Sequence, residues 1–370
     1  MIAHILAINS GSSSLKYALF ESEEGSERPL VRGGIDRIGE AVPDHGVAVN
    51  AALDGLAEKG YPTPDAVGHR VLHGGARFTA PALVNDSLVE TLEELVPLGP
   101  LHEPPQILGI RAVAKRWPSM PQVACFDTAF HRTMSEVAQR YALPDNLGKD
   151  GIIRRYGFHG LSYEFIVSTV GAAELGPAVI AHLGAGSSLA AVRDGQCVDT
   201  TMGFTPTAGL VMGSRIGDAD PGLLLYLLDH GYDVESLREL VTRRSGLIGV
   251  SGTTADVRQL LANRASDPRA ALALDLFVWS ARKWIGAMTA SVGGIRTLVF
   301  TGGIGQHATV IRSEIASGLR HLGVHLDEDR NTRSDRVIST DESPCKVLVV
   351  PTDEERMVVR HTRRVVMARN

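Results

Sequence analysis

Cysteine is scarce in this chain of 370 residues: Cys125, Cys197 and Cys345 are the only three, and they share no C-x-x-C spacing. That excludes a disulfide framework and a thiolate zinc ribbon, and predicts buried free thiols in a reducing compartment. Aromatic residues make up only 5%. No apolar run reaches the roughly 18 residues that a membrane helix needs. The N-terminal stretch lacks a basic n-region and Asn9 interrupts its apolar run, so no secretory leader is expected and a cytoplasmic location is. An excess of positive charge is also missing. The net charge of −5 argues against a nucleic acid or a membrane surface as partner. At 44% hydrophobic and 21% charged, the composition is that of an ordinary globular protein with room for two domains.

What is there in abundance is glycine and serine set between apolar strands. Ile5 to Phe20, ILAINSGSSSLKYALF, reads as strand, polar turn, strand. Such a turn gathers backbone N–H groups and hydroxyls beside a cation, Lys16, and suits the oxygens of a phosphate chain, with Asn9 offering a neutral oxygen toward hydrated magnesium. The plain alternative is that Gly and Ser simply make turns. A second copy shifts the balance. Val179 to Val192, VIAHLGAGSSLAAV, has the same form, and placing Ile5 on Val179 gives an offset of 174 residues, close to half the chain. Two related α/β domains, each presenting a phosphate-binding hairpin to a shared nucleotide cleft, are therefore expected.

Other chemistry-bearing residues sit at predicted strand ends and in glycine-rich loops. Arg70 lies in DAVGHRVLH before Gly74 and Gly75, where a guanidinium can grip a carboxylate or phosphate near backbone; a paired surface arginine is the competing reading. Asp127 ends the apolar strand QVACFD, a frequent site position in α/β folds, though it could equally cap the following helix. His102, in the proline-stiffened loop LGPLHEPPQ, is secondary to His159, which glycines flank in RRYGFHGLS. Thr200 to Gly222 is a long loop carrying Arg215, and its apolar content argues against disorder. TLVFTGGIG, Thr297 to Gly305, is a buried strand with a glycine turn that admits a nucleotide, but it is not G-x-G-x-x-G, so a dehydrogenase is set aside. Asp353, Glu354 and Glu355 open a predicted C-terminal helix, where acids suit the dipole or a magnesium ion.

Taken in order, NSGSSSLKY, GHRVLHGG, FDTAFH, RRYGFHG, HLGAGSS, MGFTP, GSRIGDADPG, FTGGIG and PTDEE resemble the acetate kinase family over nearly the whole chain. The resemblance implies duplicated RNase H-like, actin-like domains, divided as 1–131 with 356–370 and 132–355, and reversible transfer of the ATP γ-phosphoryl to acetate, giving acetyl phosphate and ADP. It implies Mg2+, or Mn2+ in its place, and a homodimer. Carried over by position, Asn9 and Glu354 are the metal residues and Lys16 the nucleotide phosphate contact. Arg70 and Arg215 bind carboxylate and transferring phosphoryl, His159 stabilises the transition state, and Asp127 is an essential aspartate read as a positioning residue. His182, Leu183, Gly184, Ala185 and Gly186, then Asp256, Val257 and Arg258, then Gly302, Gly303, Ile304, Gly305 and Gln306 match ATP-binding segments. The acyl pocket maps onto Leu72, Leu101, Phe158 and Pro206, with His102 beside it.

Departures bear on that picture. Ala185 replaces an asparagine of the family's HLGNGSS, Gln306 and His307 replace the glutamate and asparagine of GGIGEN, and Tyr163 stands for a histidine. LHEPPQ replaces LHNPxN, so Glu103 is expected to bring an anion near the substrate. Leu72 stands where valine is usual and is expected to narrow the pocket toward acetate. A propionate or butyrate kinase, or a nucleotide-binding pseudoenzyme, are the alternatives.

Overall fold

The computed structural model describes residues 3–23, 25–144, 146–147 and 151–369. The chain divides into two compact units. The first comprises Met1–Arg132, Gly160–Phe165 and Asp353–Asn370, the second Thr133–His159 and Ile166–Thr352.

In the first unit β1 (His4–Ser10), β2 (Ser14–Glu23) and β3 (Ser26–Asp36) form an antiparallel meander. β4 (Ala66–Val71) runs parallel to β1, β5 (Ala82–Leu83) lies at the edge, and β6 (Gln122–Phe126) runs parallel to β4. The sheet order is β3-β2-β1-β4-β6-β5. One face is covered by two helices. Leu6, Ile8, Leu15 and Leu19 pack with Val49 and Leu53 of helix His45–Glu58 and with Val113 of helix Glu103–Arg116. Asp44 fixes the start of the former by accepting the Val47 N–H. The other face meets helix Glu354–Met367 so closely that a Cβ on Gly68 would fall 2.2 Å from Thr362 Oγ1 and 2.5 Å from Val358 Cγ1. Only glycine permits that approach.

The second unit holds β7 (Ala178–His182), β8 (Ser188–Arg193), β9 (Gln196–Thr200), β10 (Thr297–Thr301) and β11 (Lys346–Val349), in the order β11-β10-β7-β8-β9. Helix Pro268–Ser291 buries Ala273, Leu274, Phe277, Ala281, Ile285 and Met288, a helical spacing, against Val179, Leu189 and Ala191. β11 ends at Val349, two residues before Pro351, which has no N–H to donate.

Strand for strand, β9-β8-β7-β10-β11 repeats β3-β2-β1-β4-β6, with the same senses. The hairpin registers differ, since Ala7 faces Ala18 while Ala181 faces Leu189, so the second hairpin is shorter, and the match is one of strand order and sense. Ala7 lies beside Gly68 and that beside Val123, while Ala181 lies beside Phe300 and that beside Val349. Ala7 and Ala181 are the pair the hairpin offset predicts, so the duplication extends from the two short turns to both sheets. Each third strand is followed by an acid four residues beyond the matched valine, Asp127 in one unit and Asp353 in the other. No described helix is long and apolar enough to cross a membrane.

Candidate active site

In the first unit the candidate site residues gather at the carboxyl ends of β1 and β4. Asn9 faces Lys16 across the hairpin and lies beside Arg70 on the other side. Paired residues send their side chains from one face of a sheet, so ammonium, amide and guanidinium stand in a row. The serine turn closes next to them through the Gly11 N–H, which donates to Ser14 O at 2.8 Å. Cys125 continues the row on β6, and Asp127 follows just past the strand end.

Arg70 connects these strand ends to the start of helix Glu354–Met367. Its Nη2 donates to Asp127 Oδ2 at 2.6 Å, its Nε reaches Oδ1 at 3.2 Å, and its Nη1 pairs with Glu354 Oε2 at 2.9 Å. Asp127 is 0% exposed. Burial works against the guanidinium charge, but the Asp127 and Glu354 carboxylates outweigh it and raise the Arg70 pKa. The neighbouring acids have other duties. Asp353 caps the helix by accepting the Arg356 N–H at 3.0 Å and takes Arg32 Nη2 at 2.6 Å, while Glu355 takes Arg32 Nη1 at 3.1 Å. The Asp127 side chain therefore holds Arg70.

Leu72 is buried, and Leu101 and His102 are half-buried in the turn before helix Glu103–Arg116. Glu103 overturns its expectation. It is fully buried, its Oε1 accepts the His73 N–H at 2.9 Å, and burial pushes its carboxyl up to about 8, with the nearby Asp127 charge adding to the rise. At neutral pH it is mostly the uncharged acid and brings no anion to the site.

In the second unit two glycine turns are locked together. Leu183, just after β7, donates to Thr301 O at 2.9 Å, and its own carbonyl accepts the Ile304 and Gly305 N–H groups at 2.8 and 3.1 Å. Gly302 has φ 76, and a Cβ there would lie 2.6 Å from Leu183 O, whereas nothing lies within 4 Å of the Cβ direction at Gly303. Backbone is thus open beside Gly303. The far end of helix Gly302–His307 is tied down by the fully buried Arg312, whose Nη1 donates to Gly305 O at 2.9 Å and Gln306 O at 2.7 Å. Gly184 and Ser187 bond to each other, and exposed Ala185 accepts the Gly213 N–H at 3.0 Å. Asp256 caps helix Val257–Asn263 and pairs with exposed Arg258 at 2.7 Å, whose hydrogen bonds lower the Asp256 carboxyl to about 2.

His159 and Arg215 converge in the same unit. A Cβ on Gly186 would lie 3.3 Å from His159 Nε2 and 3.5 Å from Arg215 Nη1. His159 sits at φ 58, a left-handed conformation that costs a non-glycine residue roughly 1–2 kcal/mol. Its Nδ1 is hydrogen-bonded with Ser188 Oγ at 2.9 Å and its ring stacks on His182 at 4.3 Å. Arg215 Nη1 also donates to the carbonyl of buried Pro206 at 3.0 Å, and Phe158 is buried beside His159 in the chain. Ser188, Arg32, Gln106 and Glu103 are the positions that the sequence did not single out for these contacts. Only Ser188 carried a signal, as the partner of Ser14 in the repeated hairpin.

The duplicated fold, RNase H-like in each unit, is that of a phosphotransferase of the actin-like class. The chain belongs to the acetokinase family, whose model matches residues 39–360. It is similar to the acetate kinase of Arthrobacter sp. (strain FB24), with 47% identity covering 98% of each chain. Among solved structures it resembles the acetate kinase of Porphyromonas gingivalis, at 34% identity, TM-score 0.89 and coverage of 98% of this chain and 100% of that one. It also resembles a propionate kinase from Francisella tularensis subsp. tularensis SCHU S4, at 33% identity, TM-score 0.90 and the same coverage.

Proposed function

We propose that this chain transfers the γ-phosphoryl of ATP reversibly to acetate, giving acetyl phosphate and ADP by direct in-line attack. The observation that carries the reading is the Arg70, Asp127 and Glu354 constellation beside Asn9 and Lys16. A carboxylate acceptor is already ionised at neutral pH and needs no base, so catalysis reduces to positioning and charge neutralisation. Arg70 holds the acceptor carboxylate and Asp127 fixes that guanidinium. Lys16 and the serine turn contact phosphate oxygens. In the second unit Arg215 and His159, with the backbone at Gly186, stabilise the transferring phosphoryl. His182 to Gly186, Asp256 to Arg258 and Gly302 to Gln306 bind the nucleotide. Leu72, Leu101 and His102 of the first unit, and Phe158 and Pro206 of the second, are the residues that the acetokinase likeness assigns to acyl binding.

Asn9 and Glu354 would hold Mg2+, or Mn2+ in its place. Arg70 brings them together, as the strand neighbour of one and the ion partner of the other. One carboxylate and one amide oxygen suit a magnesium ion that keeps several waters and shares phosphate oxygens. When bound, the ion neutralises charge on the phosphoryl oxygens.

A homodimer is supported by exposed apolar residues of the second unit. Leu225 is 63% exposed on helix Pro221–Asp229, and Trp279, 67% exposed, shares with Leu272 and Leu276 one face of helix Pro268–Ser291. Three buried free thiols fit the cytoplasm. Propionate transfer is the second reading, favoured by the likeness to a propionate kinase. The test is a hydroxamate or coupled-ADP assay with ATP, magnesium and acids from formate to butyrate. Turnover greatest with acetate supports the proposal; nucleotide binding without turnover on any acid would overturn it.

A further inference from the structure

Beyond β4 the chain carries two peptide N–H groups, of Leu72 and His73, that no strand receives. Both are taken by the first turn of helix Glu103–Arg116. Gln106 Oε1 accepts from Leu72 at 2.9 Å and Glu103 Oε1 accepts from His73 at 2.9 Å. Positions 103 and 106 are three apart and share a helix face, and both side chains are buried. The opposite side of the segment is held by the other strand end, where Asp127 N–H donates to Val71 O at 2.9 Å and Gly74 N–H to Thr128 Oγ1 at 3.1 Å. Leu72 and Glu103 also meet the same spot, because a Cβ on Gly99 would lie 3.1 Å from Leu72 Cδ2 and 3.2 Å from Glu103 Cγ. Glu103 Oε2 is buried with no hydrogen-bond partner among the described residues.

We infer that Glu103, with Gln106, is a positioning residue that sets the carboxylate-accepting end of the site by fixing the peptides of Leu72 and His73, two and three residues past Arg70. The inference rests on the proposed acetate kinase reading. The side chain has this effect as the neutral acid. Ionised, it would be a buried anion with one hydrogen bond. It would stand near Asp127, and the acceptor carboxylate would enter against it. The charge that acts on it is that of Asp127 past β6, and His73, whose N–H it accepts, carries a ring that burial lowers to about 4 and so keeps neutral. Burial and the Asp127 charge put the Glu103 transition near pH 8.

The experiment compares the full chain with its Glu103→Gln and Glu103→Ala variants, measuring kcat and the KM of acetate and of ATP from pH 6 to 9.5. Glutamine reproduces the neutral acid and keeps an oxygen for the His73 N–H. The wild-type acetate KM is expected to rise about ten-fold by pH 9 while that of Glu103→Gln stays flat. Glu103→Ala is expected to raise the acetate KM about ten-fold at every pH with the ATP KM changed by less than about two-fold, and Glu103→Gln to restore it at pH 6.5. Superimposable acetate-KM profiles for wild type and Glu103→Gln would overturn the inference, as would an equal rise of both KM values in Glu103→Ala. If the alanine variant does not fold, the wild-type and glutamine profiles still decide. A wild-type protein that turns over no acid would instead defeat the underlying function.

Discussion

Arg70 and Asp127 stand on neighbouring parallel strand ends and are joined by a 2.6 Å bond between Nη2 and Oδ2, with the carboxylate wholly buried. Removing the acid leaves a part-buried guanidinium with Glu354 as its remaining partner. Asp127→Ala should therefore lower unfolding free energy by about 3–5 kcal/mol, read by urea denaturation. Asp127→Asn keeps the shape but not the charge, and should reduce kcat by about 10²–10³-fold with circular dichroism unchanged.

Arg215 differs in being half-exposed, with its Nη1 donating to the Pro206 carbonyl at 3.0 Å. Its loss should be felt in rate and not in stability. Arg215→Ala is expected to lower kcat by about 10³–10⁵-fold, by analogy with arginines that neutralise phosphoryl transfer. The melting curve should move by less than about 1 kcal/mol equivalent.

Glu103 also predicts a stability profile. Its carboxyl rises from 4.5 in the unfolded chain to about 8 when folded. The folded state alone keeps the proton between those values, so the stabilisation is complete below pH 4.5 and is lost as pH rises toward 8, by about 1.4 kcal/mol per unit. Glu103→Gln should have a melting temperature close to wild type near pH 4.5 and above it at pH 8.5. Differential scanning calorimetry across this range checks the sign.

Leu72 offers a change of acid length. Leu72→Val removes one methylene beside Gly99, and should improve kcat/KM for propionate relative to acetate by about ten-fold, since one methylene is worth about 1–3 kcal/mol of discrimination. An unchanged ratio would mean that the pocket is bounded elsewhere.

For assembly, Trp279→Glu places a charge on the exposed apolar face of helix Pro268–Ser291. Sedimentation should show the proposed homodimer shifted toward monomer. Persistence of the dimer in both this variant and Leu225→Glu would exclude these faces as the interface.

Much of this organisation was legible from short patterns. The two hairpins announced the duplication because strand, glycine-serine turn and strand survive as local sequence, and the sheets extend the same match to Val123 and Val349. Arg70 and Asp127 stood out because apolar runs ended in them. What stayed hidden depends on distant partners. Glu103 reads as a loop anion, and only burial under Leu72 and His73 turns it into an acid that keeps its proton. Arg32 sits in an exposed-looking strand, yet it holds Asp353 and Glu355 more than 300 residues away. No local period encodes such a pairing.

Gly68 sets an order of events during synthesis. Its missing side chain makes space for Val358 and Thr362, which a ribosome adds only after every residue of the second unit. Until then the inner face of β4 is bare, and Arg70 lacks Glu354. The first unit therefore cannot be completed by the part of the chain made first alone. The second unit has its whole chain in hand earlier, and the first unit is complete only when the helix Glu354–Met367 docks.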